Sequence, residues 1–149
     1  MITNRSMPPG TFIPELAYPD VPAAAAWLCM AFGFRERLRI GSHRIQLVFR
    51  GGAMVVTEGG PREAAGPGAE PQAAGHAVMV SVEDVNAHHA NAERCGATIL
   101  SPPADHPYGE RQYSAEDPGG HRWVFSQSVA DVHPRDWGGS LVEDAGTSL

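Results

Sequence analysis

The sequence predicts an α+β domain built from two tandem copies of a strand–helix–three-strand unit. Three observations carry that expectation: a pair of capped Ala-rich helical segments, an alternating apolar run before each, and a Gly-Gly pair before the last strand of each copy. The first helical segment runs from Asp20 through Val-Pro-Ala-Ala-Ala-Ala-Trp-Leu-Cys-Met-Ala-Phe to Gly33, and its partner runs from Asp84 to Gly96. Each opens on an Asp, whose carboxylate accepts the backbone N–H groups that a first turn leaves free. Each closes on a Gly, which tolerates the left-handed turn past a helix end. Ala fills the interiors, and Ala is the best helix former. Pro22 sits in the first turn of the first helix, where the missing N–H costs nothing.

The flanking strands follow in order. Thr11–Tyr18 and His76–Val82 alternate and precede the helices. Pro14 marks the first as a strand start or an edge. After Gly33 come Phe34–Ile40, His43–Phe49 and Ala53–Glu58, and after Gly96 come Ala97–Leu100, Arg111–Glu116 and His121–Gln127. Gly51-Gly52 and Gly119-Gly120 supply the positive φ angles of tight hairpins. The chain therefore divides into a first βαβββ unit over 11–58, a Gly-, Pro- and Ala-rich linker over 59–75, a second unit over 76–128 and a tail over 129–149, together one domain.

Composition narrows the function classes. With 149 residues, 42% hydrophobic and 19% charged, the chain is sized for one core. No apolar run reaches the roughly twenty residues of a membrane helix, and no apolar segment of signal-peptide type stands near Met1, so the expected location is the cytoplasm, away from membranes. The formal charge is −6 with only 11 Lys and Arg and no basic run, which argues against nucleic acid as a partner. Cys29 and Cys95 have no metal-like spacing. Cys29, inside an apolar helical run, is expected to be a buried thiol.

The segment Gly109-Glu-Arg-Gln-Tyr-Ser-Ala-Glu-Asp-Pro-Gly-Gly-His-Arg-Trp-Val-Phe-Ser126, with the Asp20-Val and Gly33-Phe34 frame of the first helix, resembles the vicinal oxygen chelate superfamily. That group takes in glyoxalases, extradiol dioxygenases, fosfomycin-resistance enzymes and bleomycin-resistance proteins. The resemblance covers most of the chain and implies a curved mixed sheet around a cavity, with helices outside. It also implies a homodimer, since relatives commonly build pockets from paired or swapped units. It leaves function open, because the fold hosts metal enzymes and metal-free binders alike.

In the metal-using relatives each unit gives one ligand from its first strand and a Glu from its last. Carried over, those positions are Ile13 and Ala77, seven residues before Asp20 and Asp84, and Val124 with its repeat mate Val56. None has a lone pair to donate, so no metal and no other cofactor is expected. A one-residue slip would bring in His76, but strand alternation would turn it to the opposite face, with Val78 and Val80. His88 and His89, adjacent on a helix, cannot both face one ion, and a solvated helix surface accounts for them.

The same alternation puts Ile13, Glu15 and Ala17, then Met54, Val56 and Glu58, then Ala77, Met79 and Ser81, then Arg122, Val124 and Ser126 on the cavity side. Trp123 and Phe125 are left for the helix side. Glu15, Met54, Glu58, Met79 and Arg122 are the expected ligand contacts, although the three charged residues also suit mutual pairing or solvent. The loop Ser101–Glu110 would supply a lid bearing Tyr108 and His106, or simply a rigid surface loop. An apolar cavity with a few convergent polar groups suits a small molecule. The expected function is metal-free binding of an antibiotic or metabolite. The alternative is a metal-dependent glyoxalase- or dioxygenase-like enzyme.

Overall fold

A computed structural model describes residues 2–59 and 75–142. Most of the expected linker and the last residues of the tail lie outside the described residues. The elements are β1 (Glu15–Tyr18), α1 (Val21–Phe32), β2 (Arg35–Ile40), β3 (Arg44–Phe49), β4 (Gly52–Glu58), β5 (Val78–Ser81), α2 (Val85–Arg94), β6 (Thr98–Asp105), β7 (Glu110–Glu116) and β8 (Arg122–Ser128). The βαβββ order thus occurs twice, in an α+β domain. Each unit forms a four-stranded sheet, ordered β1-β4-β3-β2 and β5-β8-β7-β6. The first strand of each is parallel to the last, and the other neighbours are antiparallel.

Local chemistry explains the boundaries. Asp20 and Asp84 accept the N–H groups of Ala23 and Ala87, the side-chain caps of α1 and α2. Gly33 ends α1 at φ 85°. β1 starts only at Glu15, because Pro14 has no N–H; its carbonyl still accepts from Val55 N at 2.9 Å. The segment expected as a lid is mostly strand. Ser101–Asp105 belongs to β6, and only residues 106–109 turn. Pro102 and Pro103 are tolerated because β6 is an edge strand, and the pairing skips between Ser101 and Ala104. In the first unit the hairpin turn is Arg50-Gly51, with Arg50 itself at φ 55°.

One core joins the two units. Leu16, Leu28, Phe32, Ile45, Leu47 and Val56 from the first share a cluster with Val85, Tyr113, Trp123 and Phe125 from the second. Phe32, the last residue of α1, lies 4.7 Å from Phe125 and 5.3 Å from Trp123 between ring centroids. Phe34 precedes β2, the far edge of the first sheet, yet its ring is 5.5 Å from Trp123. The helix-bearing faces of the two sheets therefore look toward each other, and their other faces look outward in opposite directions.

Polar contacts at both ends of the sheets accompany this arrangement. The Asp117 carboxylate accepts from Tyr18 Oη at 2.6 Å and Trp123 Nε1 at 3.0 Å, and from the N–H groups of Gly119 and His121 in its own turn. Gly119 is required there, since a Cβ would sit 2.5 Å from Tyr18 Cδ2. His121 Nε2 donates to the Ala17 carbonyl at 2.7 Å. At the opposite end, the Arg50 guanidinium donates to the Ser81 carbonyl at 3.3 Å and lies 3.9 Å from Glu83, exposed.

His88 corrects the expectation of a solvated surface histidine. Its Nε2 donates to the Phe32 carbonyl at 2.9 Å, so Nδ1 accepts from Tyr113 Oη at 2.6 Å. The ring lies 4.2 Å from that of Phe125. A second proton would have to displace the Tyr113 donor. Burial pushes the His88 pKa down, against a smaller opposing contribution from the Phe32 carbonyl. Cys29 is half-buried rather than buried, packed against the edge of the core.

Two outcomes follow from these contacts. Asp117→Ala strands the Tyr18 hydroxyl and the Trp123 N–H in the core, and should cost about 2–5 kcal/mol in urea unfolding, with Asp117→Asn intermediate. Because the His88 pKa is depressed in the folded state, its contribution is complete above about pH 6.5 and erodes as pH falls below that value. The wild-type urea midpoint should therefore fall more between pH 7 and pH 5 than that of His88→Gln; equal falls would remove His88 as the source.

Candidate functional site

Strand register decides which side chains face outward. Glu15 pairs with Val55, and Leu16 with Val56. The outward face of the first sheet therefore carries Glu15, Ala17, Val55 and Thr57, whereas Met54 and Val56 lie on the helix side with Leu16. Glu58 pairs with Tyr18 and is exposed at the strand end. The expectation that Met54, Val56 and Glu58 share a face with Glu15 fails by one residue of β4. In the second unit Met79 pairs with Val124 and Ser81 with Ser126, opposite in facing to Trp123 and Phe125, as alternation predicts.

The two outward faces differ. Part of the first is covered by the chain's own N-terminal segment. The Ser6 carbonyl accepts from Gln46 Nε2 at 2.8 Å, the Arg5 carbonyl from Arg37 at 3.0 Å, and Pro8 is buried. Glu15, an expected ligand contact, pairs with Arg44 at 2.9 Å.

The second face carries a continuous polar chain. Tyr108 Oη donates to Gln112 Oε1 at 2.9 Å, Gln112 Nε2 to Ser126 Oγ at 2.9 Å, and Ser126 Oγ to Glu110 Oε1 at 2.6 Å. Ser128 Oγ donates to the other Glu110 oxygen. Ser126 is only 4% exposed. Tyr108 is held between His106, stacked at 5.2 Å, and Trp137 at 5.5 Å. The tail thus packs on its own chain, through a 3-10 turn at Pro134–Trp137. Val129 N and Ala130 N both donate to the Gly109 carbonyl, and a Cβ at Gly109 would lie 2.2 Å from the Ala130 oxygen. Of the residues expected at the site, Tyr108 and Met79 lie on this face; Arg122, across from Glu116, is exposed at its far end.

Glu110, Gln112 and Ser128 were not expected as site residues. Their signal in the sequence is the run Glu110, Gln112, Ser114, Glu116, polar at every second position of β7 and pointing away from buried Tyr113 and Ala115.

A cavity of about 340 Å³ opens beside β5, the edge strand of the second sheet. Phe34, Phe49, Met54, Val78 and Trp123 wall it, and Met79 and Ser81 form its rim toward the outward face. The two methionines expected at the site meet here from different units. Glu15, Glu58, Arg122 and Tyr108 lie outside it. A second hollow of about 320 Å³ lies between α1 and the Asp117 turn.

The residues present do not fit the metal of the metal-using relatives. Pairing makes Val55, not Val56, the structural mate of Val124, since Val55 lies beside Glu15 as Val124 lies beside Met79. Val55 is no better a donor. His76 sits 6.5 Å from His121 between ring centroids, and the His121 Nε2 proton is committed to Ala17. Among the described residues no three His, Cys, Asp or Glu side chains converge.

Comparison with known proteins agrees with this architecture. The profile of the Glyoxalase/Bleomycin resistance protein/Dioxygenase superfamily matches residues 13–125. The structure of TioX from Micromonospora sp. ML1 superposes with a TM-score of 0.64 at 35% identity, covering 83% of this chain and all of that one. The fosfomycin resistance protein FosX from Listeria monocytogenes shares the fold, with a TM-score of 0.60 at 15% identity over 81% of this chain and 94% of its own. An uncharacterized protein of Mycobacterium tuberculosis is 26% identical over 128 residues, 80% of this chain and 75% of that protein. Two capped βαβββ repeats, the profile match and the likeness to TioX establish that the chain belongs to the glyoxalase/bleomycin resistance/dioxygenase superfamily.

Proposed function

We propose that this protein binds an apolar antibiotic or metabolite without a metal ion, in pockets that two copies of the chain build together. The observation that supports this reading is the outward facing of the two sheets. A pocket walled by both kinds of face needs the first sheet of one copy over the second sheet of another. The first face carries Arg35, Arg37 and Arg44 against Glu15, and the second carries Glu110 and Glu116 against Arg122, so the two are biased toward opposite charge. Apolar side chains remain uncovered on both, Ile40 at 42% and Met79 at 65% exposure. The ligand's apolar body would lie along Met79 and Val124 and into the cavity beside β5. Sequestration needs nothing more than this, whereas metal-dependent turnover needs donors that these positions lack.

Light scattering at micromolar concentration should give twice the chain mass of 15.9 kDa; a monomer would remove the shared pocket. Protein purified without chelator should hold zinc, nickel, iron and manganese well below one equivalent, and a strong chelator should leave its melting temperature unchanged. In that chelated state, screening apolar antibiotics and aromatic metabolites should find compounds that raise the melting temperature by several degrees. A stoichiometric metal, or stabilisation only after metal is restored, would replace this reading with the enzyme one.

A further inference from the structure

We infer that the outward face of the second sheet recognises a protonated amine or another group that only donates hydrogen bonds, and that Glu110 sets this preference by fixing the direction of every hydroxyl and amide around it. The inference rests on the proposed pocket and goes further by naming the ligand's polar end.

Glu110 has no proton to give, so both serine hydroxyls beside it, Ser126 and Ser128, must donate to it. Ser126 has then spent its only proton and can only accept, which turns the Gln112 amide nitrogen toward it. Gln112 Oε1 is thereby aimed at Tyr108, whose hydroxyl donates to it. One charge thus orients four neighbours, and every hydroxyl proton runs toward Glu110. What the Glu110 end of the face offers a visitor is mainly acceptors: the spare lone pairs of both Glu110 oxygens, of Ser128 and of the Tyr108 oxygen. The donors nearest them are the second amide proton of Gln112 and the Ser81 hydroxyl, while the Arg122 guanidinium stands at the far end of β8. Beside Glu110 a carboxylate, phosphate or other anion would meet lone pairs and a like charge. A neutral hydroxyl would gain little, while an ammonium or amidinium would gain charge-assisted bonds. The chain's −6 formal charge acts in the same sense at longer range.

The site is built rather than incidental. Ser126 is buried, Glu110 and Gln112 are half-buried, and the tail closes the end of the face by packing Trp137 on Tyr108. Ser81 stands across from Ser126, one pleat repeat along β5 from Met79. With about 3.4 Å per residue along a strand, Ser126 and Ser128 lie about 7 and about 14 Å along β8 from the level of Met79. A compound whose ring system itself extends from Met79 toward Ser126 brings a basic nitrogen at its edge beside the nearer acceptors.

Three probes of one shape test this: 1-naphthylmethylamine, 1-naphthylmethanol and 1-naphthoate, titrated into the full-length protein by calorimetry and by amide-shift mapping at pH 7. The amine should bind about tenfold or more tighter than the alcohol, and the carboxylate should be weakest. Amine-specific shifts should fall on residues 108–112 and 126–128. Glu110→Gln, which frees the hydroxyls to reverse, should bring amine and alcohol within about twofold of each other. Alcohol or carboxylate binding as tight as the amine, or an undiminished amine preference in Glu110→Gln, would overturn the inference while leaving the pocket. If Glu110→Gln does not fold, the wild-type ranking and shift map decide alone. If none of the three compounds binds, the pocket itself is refuted.

Discussion

The buried carboxylate of Asp117 holds the two repeats in their relative positions. A charged carboxylate removed from water is costly unless donors replace its hydration. Four donors do so here, two from its own turn and two from side chains on different repeats. Tyr18 brings the end of β1 to that turn, and Trp123 brings the start of β8. Burial, together with the neighbouring negative charge, pushes the Tyr18 pKa far up, so its hydroxyl remains a donor at any ordinary pH. Because Tyr18 and Trp123 both lie on helix-bearing faces, satisfying Asp117 obliges those faces to meet.

That obligation shapes the binding surfaces. Phe32 and Phe34 fill the space between the sheets, with His88 pinned across Phe32 and Tyr113. Once these aromatic rings occupy the interior, the faces free to hold a ligand look away from each other. The repeats have also diverged in use. The first sheet spends part of its free face on its own N-terminal segment, whereas the second displays a polar chain beside exposed Met79.

Much of the fold was legible because it rests on local chemistry: Asp20, Asp84 and Gly33 act where a helix begins or ends, whatever surrounds them. The second unit's facing was legible too, since Trp123 and Phe125 are too large to mistake. β4 was not, because Ala53-Met54-Val55-Val56 is apolar at every position and alternation has nothing to read. Only pairing with Glu15 and Leu16 fixes its register. His88 was illegible for another reason: its partners, a carbonyl 56 residues away and a hydroxyl 25 residues away, are tertiary. Residues 110–116 displayed their alternation plainly, but a polar period marks one face of a strand without saying that its side chains are wired together.

The two hairpin turns that clasp the neighbouring repeat are unequal. The Asp117 carboxylate is buried and held by hydrogen bonds of 2.6–3.0 Å. The Arg50 turn relies on one carbonyl and a distant, solvated Glu83. Mobile ions screen the second kind of contact and scarcely touch the first. The molecule is therefore mechanically lopsided: stiff where β1 ends and yielding where β5 ends, beside the larger apolar cavity. Ionic strength becomes a dial on how far that side gapes, and the amide hydrogens of β5 should be the ones whose exchange quickens as salt is added.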